Sequence, residues 1–80
     1  MDNAAKLDAA FAVALNMDVS DVNDELAFEA TPAWDSIGHM IVISTLEETF
    51  GIEISPDDIL QLKSYQGCKA ILAERYGITF

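Results

Sequence analysis

Residues 34–51 read WDSIGHMIVISTLEETFG, and the fold turns on how this stretch is taken. Asp35 and Ser36 are residue types that begin helices, and Gly51 suits the left-handed position that ends one. Between them Val42, Ile43, Leu46 and Phe50 recur on one face at helical spacing. The pattern predicts a helix from Asp35 or Ser36 to about Phe50, with that face buried. Ile37, Met40 and Ile41 fall outside it, nearer the Ser36 side.

Working outward, residues 17–35 have no helical period and are rich in Asp, Asn, Ser, Thr and Pro, which favour turns. Pro32 keeps anything before it from running into the next helix. Val19, Val22, Leu26 and Phe28 are spaced so as to pin this long loop to a core, and Trp34 can anchor its end. Before the loop, Asp2 or Asn3 can cap a helix of about 14 residues whose apolar stripe is Leu7, Ala10, Phe11, Ala14 and Leu15. After Gly51, Ser55 caps a short third helix with Pro56 at its first position and Asp57 and Asp58 at the positive end of its dipole, ending near Leu62. Ser64 caps a fourth, from Tyr65 to about Tyr76, carrying Cys68, Ile71, Leu72 and Arg75 at helical spacing and stopped by Gly77. The expected fold is all-α: one domain over residues 1–80, a small antiparallel four-helix bundle of three longer helices and one short one, with a long loop between the first and second.

Composition narrows the function. The 80 residues carry 14 acids against 4 Lys and Arg, a formal net charge of -10. Such a surface is not made for nucleic acid or an anionic membrane; it suits partners with basic patches, or simply keeps a small domain in solution. At 51% hydrophobic the chain can fold despite its charge. Cys68 is its one cysteine and His39 its one histidine, so neither a disulfide nor a zinc site is available. Cys68 reads as a small packing residue. The apolar run AAFAVAL has the wrong flanking charge for a signal peptide, and no stretch approaches the ~20 apolar residues of a membrane span. The expected location is the cytoplasm and the expected state a monomer.

Asp35, Ser36 and His39 line up as acid, nucleophile and base, yet a hydrolase is a poor reading. Neither Gly-Asp-Ser nor Gly-x-Ser-x-Gly is present, and Ser36 and His39 would be neighbours on one exposed helical turn. A triad needs a base held by a third buried group, and an oxyanion hole. With Asp35 as cap, its carboxylate accepts from the amide of Ile37 or Gly38. Ser36 then stands at the first helical position, its hydroxyl free, where the helix dipole favours an anion. Gly38 leaves the neighbourhood uncrowded. The placement suits a serine that another enzyme modifies; it equally suits two residues that do no more than start a helix.

Two blocks of the sequence carry a resemblance. Asp35-Ser36-Ile37 resembles the Asp-Ser-Leu that opens the second helix of the acyl carrier protein family, which includes peptidyl and aminoacyl carriers. Leu46-Glu47-Glu48-Thr49-Phe50-Gly51-Ile52-Glu53-Ile54 is similar to the family's Leu-Glu-Glu-x-Phe-Gly-Ile-x-Ile. The likeness covers nearly the whole chain. Trp34-Asp35-Ser36 with Gly38-His39-Met40 looks like stand-alone carriers, and Met1 close to the first helix agrees with that.

The resemblance implies a phosphopantetheine arm on Ser36, moved from coenzyme A by a phosphopantetheinyl transferase. The carrier would itself catalyse nothing and bind no metal. It would hold acyl groups, or aminoacyl or peptidyl groups in the alternative reading, as thioesters for loading and downstream biosynthetic enzymes; an unmodified acidic interaction bundle is the alternative of another class. Asp35, Ile37, Gly38 and His39 would adjoin the arm, with His39 either near the phosphodiester or an exposed bystander. Asp35, Glu47, Glu48, Glu53, Asp57 and Asp58, with Ile37 and Met40, would dock basic-patched partners, Ile37 and Met40 alternatively packing on the loop. Phe28, Leu46, Ile54, Leu62 and Ile71 would line a sheltered acyl chain if there is one. Ile41 stands where the family often has an acid and Ser44 where it often has a larger apolar residue, which implies a specialised partner set.

Overall fold

The computed structural model describes residues 2–80; the expectation resting on Met1 lies outside the described residues. Four helices follow in order: α1 Asn3–Leu15, α2 Ser36–Phe50, α3 Pro56–Gln61 and α4 Tyr65–Tyr76, with one 3₁₀ turn at Val19–Asp21. Each helix starts where a side chain satisfies an amide that has no intrahelical acceptor. The Asp2 carboxylate accepts from the Ala5 amide at 2.8 Å and Asp35 from Gly38 at 2.8 Å. The Ser55 hydroxyl accepts from Asp58 at 3.3 Å and Ser64 from Gly67 at 2.9 Å. Gly51 and Gly77 end α2 and α4 in the left-handed region, where a Cβ would be strained.

Helices α1 and α2 run antiparallel: Phe11 meets Trp34 just before α2 begins, while Asn3 and Phe50 both reach the C-terminal tail, through Thr79 and Phe80. Between the helices lies one core of Leu7, Phe11, Trp34, Leu46, Leu62 and Leu72, all fully buried, with Val42, Ile43, Ile54 and Cys68 beside them. Burial pushes the Cys68 thiol up to about 12, so it packs and does not react. The Tyr65 hydroxyl donates to Asp8 on α1; burial, and then that bond, raise its pKa.

The long loop is held more by backbone than by apolar pins. The Phe28 amide donates to the Lys63 carbonyl at 2.8 Å and the Tyr65 amide to the Leu26 carbonyl at 2.9 Å, which fastens the loop to the α3–α4 junction. Leu26 is buried, and Val22 and Phe28 pack at the core's edge. Val19, expected as a pin, is exposed, because the 3₁₀ turn points it outward.

Asp58 departs furthest from expectation. The resemblance implied an acid that docks partners; Asp58 is instead 4% exposed and clamps α3 to α4. The Tyr76 hydroxyl donates to its Oδ2 at 2.7 Å and also accepts from the Ser55 amide at 3.0 Å, while Arg75 Nη1 lies 3.1 Å from Oδ1. The Tyr76 bond foremost, with Ser55 and Arg75 acting in the same sense against burial, holds the carboxyl below the ordinary aspartate range. A depressed folded-state pKa stabilises the fold fully above the unfolded value, about 3.9, and the contribution is lost as pH falls through the folded value. Thermal melts should therefore lose Tm more steeply below about pH 4 in the wild type than in Asp58→Asn; parallel pH profiles would remove the clamp from the acid response.

Candidate functional site

Ser36 is the first residue of α2 and is exposed. Its position follows from three local devices. Asp35 takes the capping role, its Oδ1 on the Gly38 amide and its carbonyl accepting from the His39 amide at 2.7 Å. The Ser36 hydroxyl is thereby left out of the cap. The amides of Ser36 and Ile37, first-turn donors with no intrahelical acceptor, stay at the open end of the helix, where the dipole favours negative charge.

The second device is the closure of the loop upon itself. Glu29, in the left-handed region at φ 66°, donates its amide to the Trp34 carbonyl at 2.8 Å. The Thr31 amide donates to Ala27, and the Trp34 amide to Thr31, both at 2.9 Å. This brings the Ala33 carbonyl against α2 at Gly38. A Cβ built on Gly38 would lie 2.2 Å from the Ala33 oxygen. Gly38 was expected to keep the surroundings of Ser36 open. It is buried instead, and its missing side chain is the space that admits the loop backbone.

The third device is His39, which is no exposed bystander. It is half-buried, and both ring nitrogens are taken. The Trp34 indole N–H donates to Nδ1 at 2.9 Å, so Nε2 carries the hydrogen and donates to the Ile59 carbonyl at 2.8 Å. The ring stacks on Trp34 and meets Phe28 edge to face. One side chain thus ties the loop's end, the start of α2 and α3 together, and no nitrogen is left to take a proton from Ser36. His39→Phe keeps a ring but strands a buried indole N–H and a carbonyl; it should cost about 2 kcal/mol in urea unfolding. Combining it with Trp34→Phe, which removes the donor, should cost less than the two losses summed, by about 1 kcal/mol. Strict additivity would show that the indole–imidazole bond contributes nothing.

The predicted docking residues divide. Ile37 and Met40 are 75% and 56% exposed, so they do not pack on the loop. With Ser36, Ile41, Ser44 and Thr45 they line a groove of about 440 Å³ along α2. Glu48, Glu53 and Asp57 are exposed acids. Asp35 and Glu47 are engaged within the fold: Glu47 Oε2 accepts from the Ile54 amide at 2.9 Å and shapes the α2–α3 turn. Asp58 is buried, as described. The residues proposed to line an acyl chain do not gather at Ser36. Leu46, Ile54 and Leu62 belong to the packed core, Phe28 lies against His39, and Ile71 opens onto a groove between α3 and α4.

Sequence spacing did not show the links through Trp34, His39 and Ile59 or through Asp58 and Tyr76. The partner in the first is a backbone carbonyl, which has no sequence signature, and the second spans 18 residues. The one available hint was a tryptophan five residues before a histidine across a helix start.

Among the described residues no group of three or more His, Cys, Asp or Glu could hold a metal ion, and no helix is long and apolar enough to cross a membrane. The family model for the phosphopantetheine attachment site matches residues 5–68. An acyl carrier protein of Solidesulfovibrio magneticus is 30% identical over 63 residues, covering 79% of this chain and 81% of that protein. No solved structure gives a significant match.

Proposed function

The chain belongs to the acyl carrier protein family, whose cofactor is covalently attached phosphopantetheine, and from that premise we propose that Ser36 is the attachment residue. The observation that carries the proposal is the exposed hydroxyl at the first position of α2, kept out of the cap by Asp35. The residues fit the group. The hydroxyl is reachable, the open amides of the first turn suit a phosphodiester, and the helix stretch from Ser36 to Leu46 has no acid to repel one. In the attachment step, assisted by a transferase, the Ser36 oxygen forms a bond to the phosphorus of coenzyme A's pantetheine phosphate. The pyrophosphate link to adenosine 3′,5′-bisphosphate breaks, and the hydroxyl proton passes to a base of the transferase. Once bound, the arm supplies a thiol that holds a carboxylic group as a thioester.

The chain's own part is presentation. Asp35, Trp34, Gly38 and His39 fix the serine's height and direction above the bundle, so a tethered group is offered at high effective concentration. Ile37 and Met40, flanked by Glu48, Glu53 and Asp57, form the surface we assign to partner enzymes; the acids speed encounter and the apolar pair supplies contact. We read the loaded group as acyl, the protein as a single-domain monomer and its location as cytoplasmic. An aminoacyl or peptidyl cargo is distinguished by loading with each donor class.

The test is intact mass after incubation with coenzyme A and a broad-specificity transferase, followed by fragmentation of the modified chain. The expected result is one added phosphopantetheine, on the peptide containing Ser36. No mass gain would leave an unmodified acidic interaction bundle; a gain elsewhere would move the site.

A further inference from the structure

We propose that His39 is a proton-operated switch on the placement of Ser36. While the imidazole is neutral it ties the loop's end to α2 and α3; when it takes a proton, the tie to the loop is lost and the tie to α3 is kept. The consequence for attachment rests on Ser36 as the attachment residue, whereas the switch itself does not. The Trp34 indole N–H donates to Nδ1 at 2.9 Å. An acceptor nitrogen exists only in the neutral ring, because the protonated ring carries an N–H at both positions. Protonation therefore sets two donors against each other at this contact. At the other nitrogen the sense is unchanged: Nε2 donates to the Ile59 carbonyl at 2.8 Å, and a charged donor makes the stronger bond.

The lost bond cannot be replaced where it stands. Trp34 is fully buried, so its N–H meets no water, and a buried donor without an acceptor is costly. Relief requires the indole to move, and its backbone moves with it. Trp34 lies two residues before Ser36. Its amide and carbonyl close the loop through Thr31 and Glu29, and the adjoining Ala33 carbonyl rests against Gly38. Residues 29–35 are thus the element with two arrangements that the proton biases.

The surroundings of the ring leave this contact to the imidazole alone. From the loop it faces Trp34 and Phe28, both uncharged. From α3 it faces the Ile59 carbonyl; the neighbouring Asp58 is turned to Tyr76 and Arg75, and Asp57 is exposed. On α2 the acid one turn before it is Asp35, whose carboxylate is on the Gly38 amide. His39 is half-buried and is the chain's one histidine. Imidazole is the side chain whose ordinary charge change falls between about pH 5 and 8. The Cys68 thiol, pushed up by burial to about 12, takes no part.

The experiment follows the unmodified protein by NMR from about pH 8 to about pH 5, with far-UV circular dichroism alongside. Imidazole nitrogen shifts report the protonation of His39. The Trp34 indole N–H and the amides of Trp34 and Ser36 should move with the same midpoint, while helicity and the Leu72 amide on α4 stay constant. A second arm mixes wild type and His39→Gln in one transferase reaction with coenzyme A and reads each by mass. The glutamine amide keeps an acceptor and a donor across the range, so it cannot be switched, and the transferase's own pH response cancels in the ratio. The ratio of modified wild type to modified His39→Gln should fall about fivefold across the same range. If His39→Gln does not fold, Trp34→Phe takes its place, since it has no donor to strand. An indole resonance that ignores the ring, a ring that takes no proton in this range, or helicity lost together with it would each overturn the switch. A constant ratio would overturn its hold on Ser36. If neither carrier gains mass, the attachment premise fails, and the NMR titration still decides the switch.

Discussion

Ser36→Ala should abolish attachment of phosphopantetheine while changing stability by no more than about 0.5 kcal/mol. The two effects separate because the side chain is exposed and the cap belongs to Asp35, whose Oδ1 already serves the Gly38 amide. Removing the Ser36 oxygen breaks none of the bonds that position α2, and alanine is a good helix former at this point. Asp35→Ala makes the reciprocal case. It leaves the hydroxyl but removes the cap, and should cost about 1 kcal/mol of stability while slowing modification without abolishing it. Mass spectrometry after transferase treatment, with urea unfolding of the same samples, reads both. If Ser36→Ala still gains the arm, the attachment assignment falls. If it unfolds, the serine has a structural part that the geometry does not contain.

Much of this site was legible in the sequence because its signals are local. Caps act over three residues, and Asp2, Asp35, Ser55 and Ser64 sit where the spacing put them. The core face of α2 is a periodic pattern, and Val42, Ile43 and Leu46 are buried on it. What spacing missed is contact between distant segments. An aspartate early in a short helix looks the same whether it faces water or a tyrosine on another helix. The resemblance placed Asp58 with Glu48, Glu53 and Asp57 among the docking acids; those three are exposed and Asp58 is not. His39 had the same ambiguity, since a polar residue beside the core face can turn outward or reach across to another helix. The exposed apolar residues were readable only as leftovers from the core face; that they share a groove with Ser36 needed coordinates.

Gly38→Ala gives a prediction with opposite signs from sequence and structure. Near the start of an unobstructed helix, replacing glycine with alanine stabilises by about 1 kcal/mol, because alanine loses less backbone freedom. At Gly38 the added carbon would stand 2.2 Å from the Ala33 carbonyl oxygen, far inside any tolerable contact. The obstructing atom is backbone and cannot rotate away. Moving it means moving a loop end tied by the Glu29–Trp34 and Trp34–Thr31 bonds and by the Trp34–His39 bond. Gly67 in α4 is the useful contrast: its Cβ would meet the Ser64 hydroxyl at 2.9 Å, a side-chain atom that can give way with partial loss of one cap. Overpacking against fixed backbone should outweigh the propensity gain, leaving Gly38→Ala destabilised by about 2 kcal/mol, with Gly67→Ala closer to neutral. The loss should extend to function. Displacing residues 33–35 shifts Asp35 and Ser36 relative to the bundle, and a misplacement of that kind lowers a positioned reaction on the order of 100-fold. Transferase modification of Gly38→Ala, measured where it is still folded, should fall by that order, whereas Gly67→Ala should be modified at the wild-type rate. A stabilised Gly38→Ala would show that the loop backbone does not rest on this glycine and that the height of Ser36 is set by the Asp35 cap alone.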